Sequence, residues 1–352
     1  MKYYSLPVEQ LTAAQIETWS RLQQTEDVFD SAYFRPEFAI AVASVRSGIE
    51  VAVIEQHGEL IGFFPYYRDQ SNVAYPIADT LTDFQGVVVN GSVDWNPRQL
   101  LSDCGLSAFY FDHLLTSGQQ LQQYEWYTLS SPYMQLSDGF EAYVNNRSNP
   151  KSDLLKQVLR KSRKIEREIG PLRLEPFATD EDVFRTLIEW KTNQYLRTDT
   201  ANVFSEKWTV QLLERIWQQR TETFSGMLSA LYVGDQLAAV LMGMLSRGVM
   251  HFWFPAYNVE LRKYSPGLIL LVKIADAAES IGIQRIDLGP GPESYKTSFK
   301  TGDSSIAVGA VDLRPVVRPL MRFWNQTHEL VRTSRLRIPA RRLYLIARNL
   351  LH

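Results

Sequence analysis

An α/β fold built twice over is what this sequence predicts, and three observations carry the prediction. A strand, a loop, a capped helix and a second strand follow one another between residues 249 and 288. Two hairpins have turn glycines, Gly58 and Gly234, that stand half the chain length apart. Each hairpin follows a helix-rich segment, 7–45 before the first and 179–219 before the second. The chain of 352 residues, 45% hydrophobic and 12% aromatic, carries enough apolar side chain for one large core or two of ordinary size.

In chain order, Val51 to Phe64 reads as the first hairpin, turning near His57-Gly58. Little side-chain identity links it to the second hairpin beyond the turns, so duplication stands beside the alternative of two common hairpins. The boundary between the halves falls within 138–176. Asn145 to Pro150 is rich in turn formers, and Asp153 to Ile169 reads as a basic helix ended by Gly170-Pro171. Its cations, Lys156, Arg160, Lys161, Arg163, Lys164 and Arg167, suit a solvated linker or a surface for an acidic ligand. The expected division is a degenerate first half (1–145), the basic linker helix (146–171), a second half (172–313) and a basic helical tail (314–352).

The second hairpin, Ser229 to Val240, turns at Gly234-Asp235, and Val249 to Phe254 reads as a strand ending near Pro255. The loop Arg262-Lys263-Tyr264-Ser265-Pro266-Gly267 follows. Ser265 reads as an N-cap and Pro266 as the first residue of a helix running from Leu268 to Ile281. Gly267 admits close approach to the backbone, and Arg262 and Lys263 add positive charge to that of the helix N-terminus. Such an end suits a pyrophosphate; a capped helix with two solvated cations is the plainer reading. Leu268, Leu271, Val272, Ala275 and Ala278 give the helix one apolar face, and Gly282 ends it. Ile283 to Leu288 then reads as a strand that Gly289-Pro290-Gly291-Pro292 stops.

Composition excludes several classes. A single cysteine, Cys104, rules out a disulfide within the chain, and five scattered histidines show no metal spacing, so no metal is expected. No run approaches the roughly 18 apolar residues of a spanning helix, and the N-terminus leads into no signal-peptide core, which predicts a soluble, cytoplasmic protein. A net charge of −2 hides an asymmetry: from Arg314 onward nine arginines face one acid, Glu329. With Leu343, Leu345 and Ile346 among them, the tail reads as a helix for an anionic membrane, for a protein partner or for the chain's own acidic body. No aromatic-basic module supports nucleic-acid binding.

The hairpin, the aromatic strand, the loop from Arg262 to Gly267, the helix, and Asp287-Leu288-Gly289 followed by Tyr295-Lys296-Thr297-Ser298-Phe299-Lys300 together resemble the GNAT-fold acyltransferases. The likeness is greatest to the CelD-type, or cellulose-biosynthesis, branch, which is related to the Fem-type aminoacyltransferases. It covers residues 172–312 well and the first half weakly. It implies a tandem GNAT-like acyl-CoA N-acyltransferase fold with mixed sheets flanked by helices, and acetyl-CoA or another acyl-CoA as co-substrate. In the family's Gln/Arg-x-x-Gly-x-Gly/Ala loop, Arg262 and Gly267 match the ends, while Ser265 stands at the first glycine.

The chemistry narrows the roles. A free amine has a pKa near ~10, so a base or water chain must take its proton before it attacks a thioester. Asp287 at a strand end and His251 on the preceding strand are the candidates. Tyr295 or Tyr257 suits protonation of the departing thiolate, and Lys296 suits the charge on the thioester oxygen or a phosphate. Glu189, Trp190, Lys191 and Gln194 lie in the helical segment that covers the acceptor pocket in GNAT-like proteins. Turn capping for Asp287, a satisfied core histidine for His251, and packing for Tyr295 and Trp190 are the structural alternatives. Expected acceptors are small-molecule or sugar amines. Two other functions stay open: a Fem-type transferase using aminoacyl-tRNA, and a non-catalytic accessory protein of polysaccharide biosynthesis.

Overall fold

One chain path is followed twice in the computed structural model, which describes residues 1–314 apart from 92, 116–118, 148, 150 and 151. The predicted basic tail from residue 315 lies outside the described residues. The first half runs β1 (Lys2–Pro7), α1 (Ala13–Gln23), α2 (Pro36–Ala43), β2 (Ile49–Gln56), β3 (Glu59–Arg68), β4 (Val73–Tyr75), β5 (Val88–Val89), α3 (Pro97–Asp103), β6 (Ala108–Leu115), α4 (Gln119–Gln122) and β7 (Glu125–Gln135). After α5 (Gly139–Asn146) and α6 (Leu154–Glu168) the path recurs. It runs β8 (Leu172–Glu175), α7 (Glu181–Arg197), α8 (Lys207–Gln218), β9 (Ser225–Val233), β10 (Gln236–Ser246), β11 (Val249–Tyr257), α9 (Pro266–Asp276), β12 (Arg285–Asp287), α10 (Ser294–Phe299) and β13 (Gly302–Asp312).

Local sequence sets these elements. His57 and Gly58 both take positive φ in the first hairpin turn, the conformation a two-residue connection demands. Asp180 caps α7 by accepting from the Asp182 amide at 2.8 Å, and Glu181 and Asp182 place negative charge in its first turn. In α6, Leu155, Val158, Ser162 and Ile165 are buried at spacings of three and four, which leaves the basic side chains to solvent or to neighbouring loops. The helix expected from Leu268 to Ile281 divides into α9 and a 3-10 turn at Glu279–Ile281, after which Gly282 takes φ +74°. The aromatic strand runs on past Pro255 to Tyr257, and the strand after α9 shortens to Arg285–Asp287.

All the strands join one mixed sheet in the order β1-β2-β3-β4-β6-β13-β7-β12-β11-β10-β9-β8, with β5 beside β3. The order is symmetrical about β13 and β7, and each half's last strand lies against the other half. Ile306 of β13 pairs with Leu115 of β6, and Tyr133 of β7 pairs with Asp287 of β12. The strands between β4 and β6 and between β11 and β12 are parallel; the other neighbours are antiparallel. Helices flank both faces. Val51 and Val53 enter the core beneath α1, α2, α7 and α8, while Ala52 and Ile54 enter the one beneath α3. On the second half α6 and α9 cover the opposite face, where Ile269, Leu270, Leu271 and Ile274 of α9 are buried at roughly 1.5–3 kcal/mol each.

The halves differ at the parallel pair. In the first, residues 84–89 fill the space beside β6: Gln85 pairs in parallel with Leu114, donates its amide to His113 O at 3.0 Å and accepts from the Leu115 amide at 2.9 Å. In the second, the corresponding space is where β11 and β12 separate.

Candidate functional site

β11 and β12 pair from Val249–Arg285 to His251–Asp287, and there β12 ends while β11 continues to Tyr257. A bulge accompanies the parting, since Met242 of β10 faces Phe254 whereas Met244 faces His251. The extra residue breaks the alternation. Trp253 and Phe254 therefore pack on the α7 side together, and Phe252 packs on the α9 side. Beyond His251 β11 runs on without β12 beside it, and α7 and α9 both pack against β11.

The loop ahead of α9 is built differently from a simple cap. Val259–Tyr264 forms a 3-10 segment, with Arg262 and Lys263 exposed. Tyr264 is buried and donates its hydroxyl to Glu168 at 2.6 Å, which holds that carboxyl below its ordinary range. Ser265 takes the N-cap position with φ 58° and ψ 54°, a left-handed conformation, and its hydroxyl makes no cap bond. Instead the hydroxyl accepts from Lys161 Nζ of α6 at 2.8 Å. The left-handed backbone explains both the lost cap, because it turns the side chain away from the first helical turn, and the glycine that the resembling family places here. Pro266 is buried and brings no N–H. The Leu268 and Ile269 amides bond Ser265 O at 3.0 and 3.1 Å, and the Gly267 amide stands ahead of them in the first helical turn. A side chain on Gly267 would stand 3.5 Å from the ring of Tyr257, itself 38% exposed.

Besides Tyr257, four residues were expected to act chemically. Asp287 is buried and held by Arg285, with Nε to Oδ1 at 3.0 Å and a second contact at 3.3 Å. Lys296 is buried too; its Nζ donates to Gly289 O at 3.2 Å and Pro290 O at 2.9 Å and pairs with Glu293 at 3.1 Å. The lysine thus fastens the glycine-rich turn that ends β12. Burial, then the charge of Glu293, pushes the Tyr295 phenol above its ordinary range, so it keeps its proton. His251 is 1% exposed, its Nε2 lies 2.9 Å from Asp83 Oδ2, and its Nδ1 is buried without a hydrogen-bond partner.

On the acceptor side, α7 faces the open part of β11. Lys191 is buried there and its Nζ donates to Pro255 O at 3.2 Å and Gln194 Oε1 at 3.3 Å. Burial brings its ammonium down to about 8, with Glu293 opposing and Lys296 reinforcing the shift. Trp190 packs half-buried on the core, and Glu189 points to solvent. Cys104 lies in the first half, buried, with its thiol pushed up to about 12 by that burial, which suits no nucleophile. Among the described residues no group of three or more His, Cys, Asp or Glu is placed to hold a metal, and no helix is long and apolar enough to cross a membrane.

Reasoning from the sequence missed two residues, Asp83 and Tyr33, both from the first half. Tyr33 meets the His251 ring edge-on at 5.0 Å, and burial raises its phenol well above the ordinary range. Neither lies in a motif, and their place at this site depends on the shared sheet. A separate cavity of about 270 Å³, bordered by Glu26, Phe29, Trp95 and Leu121, contains none of the expected site residues.

Comparison with known proteins bears on the same region. Residues 152–297 match the family model described as an acetyltransferase (GNAT) domain. No curated protein matches the chain. Among solved structures, FemX is similar at 9% identity and a TM-score of 0.58, covering 92% of this chain and 100% of its own. The C-terminal DUF2156 domain from Agrobacterium fabrum is similar at 12% identity and 0.54, covering 92% and 98%. A tandem GNAT protein from the clavulanic acid biosynthesis pathway is similar at 10% identity and 0.46, covering 89% and 98%. The first two likenesses show the fold across nearly the whole chain. The parted parallel strands and the basic loop lie inside the region that matches the acetyltransferase (GNAT) domain model.

Proposed function

We propose that the protein is an acyl-CoA-dependent N-acyltransferase of the CelD-type branch, passing an acetyl or longer acyl group directly to an amine. The observation that carries this reading is the parting of β11 from β12 after His251 and Asp287, with a basic loop leading from β11 into α9. The pyrophosphate of the donor is assigned to the Gly267 amide, Arg262 and Lys263, with Lys161 joining from α6. The thioester arm then lies along the unpaired side of β11 past His251, where backbone groups have no strand partner. The amine enters beside α7, near Lys191, Gln194 and Trp190. Its nitrogen bonds to the acyl carbon, the C–S bond breaks, the proton leaves toward His251, and Tyr257 or Tyr295 returns one to the thiolate. Asp287 and Lys296, each held by close partners, fix the end of β12.

Titration calorimetry with acetyl-CoA and with longer acyl-CoAs tests the reading. Binding is expected for the native chain and lost in Gly267→Trp, whose indole covers the helix N-terminus while circular dichroism stays native. No binding at millimolar acyl-CoA overturns the enzyme reading, and unchanged affinity in the variant shows that the wrong loop was chosen.

A further inference from the structure

The residue that touches His251 comes from the first half. Asp83 sits on the segment that pairs beside β6 through Gln85, between two anchored neighbours. Thr82 Oγ accepts from the Ala78 amide at 3.0 Å, its carbonyl lies 3.2 Å from His113 Nδ1, and the Gln85 side chain donates to Asp112 at 2.5 Å. From this footing Asp83 Oδ2 lies 2.9 Å from His251 Nε2, and Oδ1 lies 3.9 Å from His113. An ionised carboxylate only accepts, so the contact places a proton on Nε2 and leaves Nδ1 as the lone-pair nitrogen of the neutral ring. That nitrogen is the buried one without a partner. Gly289 makes room for the pair: a side chain there would stand 3.1 Å from Asp83 Oδ2 and 3.5 Å from His251 Cε1.

We propose that Asp83 is the positioning residue for His251, so that the first half supplies the carboxylate that orients the base of the second half's site. The assignment rests on the acyl-transfer reading above. The amine proton moves to Nδ1, directly or through a water, as the N–C bond forms and the C–S bond breaks, and the resulting imidazolium faces Asp83. The carboxylate itself takes no proton. The other ionisable groups around the ring are His113 with Asp112, Asp287 with Arg285, and Tyr33, whose phenol is kept protonated by burial and whose hydroxyl has no hydrogen-bond partner. Such an arrangement ties the function of one half to the fold of the other.

The full chain labelled with ¹⁵N-histidine provides the test, because five histidines give a resolvable NMR spectrum and His251→Gln assigns the signal. In the native chain His251 is expected to show a fixed tautomer with the proton on Nε2. In Asp83→Ala the ring nitrogens should average between tautomers, while acetyl-CoA affinity by calorimetry stays within about threefold. Release of CoA thiol across a panel of amines should fall about 100-fold or more in kcat, the range of general-base contributions, with partial recovery in Asp83→Glu. Asp83→Asn keeps the shape if the alanine variant unfolds. A His251 signal unchanged in both variants overturns the positioning role, as does an unchanged kcat. If the native chain fails to bind acetyl-CoA, the acyl-transfer reading fails by itself, and the tautomer measurement still decides whether Asp83 orients the ring.

Discussion

Replacing Lys191 by methionine should stabilise the protein near neutral pH and lose that advantage as the pH rises. Lys191 is 8% exposed, and burial lowers its ammonium to about 8, whereas an unfolded chain gives lysine about 10.4. Because the folded value lies below the unfolded one, the unfolded state binds more protons through the interval between them. Stability therefore rises with pH across that window, and below it the penalty is complete. At pH 7 the penalty is on the order of 3 kcal/mol, since each pH unit between the folded and unfolded values is worth about 1.4 kcal/mol. Methionine removes it but leaves Pro255 O unpaired, at a cost of about 1–2 kcal/mol. The variant should thus be more stable than the native chain by about 1–2 kcal/mol at pH 7, and the difference should shrink by about 2 kcal/mol by pH 10, reversing its sign or nearly so. Urea denaturation of both proteins at several pH values isolates the effect, because other titrating groups cancel in the difference. A difference that is flat with pH would refute the buried-charge argument.

Two further outcomes follow from backbone geometry and strand pairing. Gly289→Ala places a side chain at φ +71° and against Asp83, and should cost at least about 1–2 kcal/mol in urea unfolding while releasing the fixed His251 tautomer; native stability would show that the turn yields freely. Residues 172–314 expressed alone leave β13 without β6 and β7, and leave β12 without β7. Two copies can restore that pairing by exchanging β13, so light scattering should report a dimer, and a stable monomer would show that β13 folds back on its own half.

How much was legible in the sequence follows from the range of each interaction. The hairpins, the basic helix and the β11-α9-β12 unit rest on local signals such as Gly58, Gly234, Pro266 and Gly282, and these elements stand near the expected positions. Ser265 does stand at the N-cap of α9, but its left-handed backbone and missing cap bond were not legible. Serine is a common cap, and only its positive φ distinguishes a left-handed turn from one. The contacts of Lys296 and Arg285 were also out of reach, because a charged residue beside a glycine-rich turn reads the same whether it meets substrate or holds backbone carbonyls. Asp83 was the furthest from view: it lies 168 positions from His251 along the chain, and no periodicity marks it.

The exchange of last strands gives that distance a physical cause. If each half kept its own final strand, β7 would lie beside β6 and β13 beside β12, and only the β7–β13 pairing would join the halves. Pairing β13 with β6 and β7 with β12 joins them through those pairs as well, in one sheet where any shift of one half disturbs the hydrogen bonds of the other. Within that sheet a carboxylate of one half is held 2.9 Å from an imidazole in the other. The segment that pairs beside β6 through Gln85 is the same one that carries Asp83 to His251. Closing the first parallel pair and equipping the second are, in this arrangement, one structural event, which ties the first half to the chemistry of its neighbour.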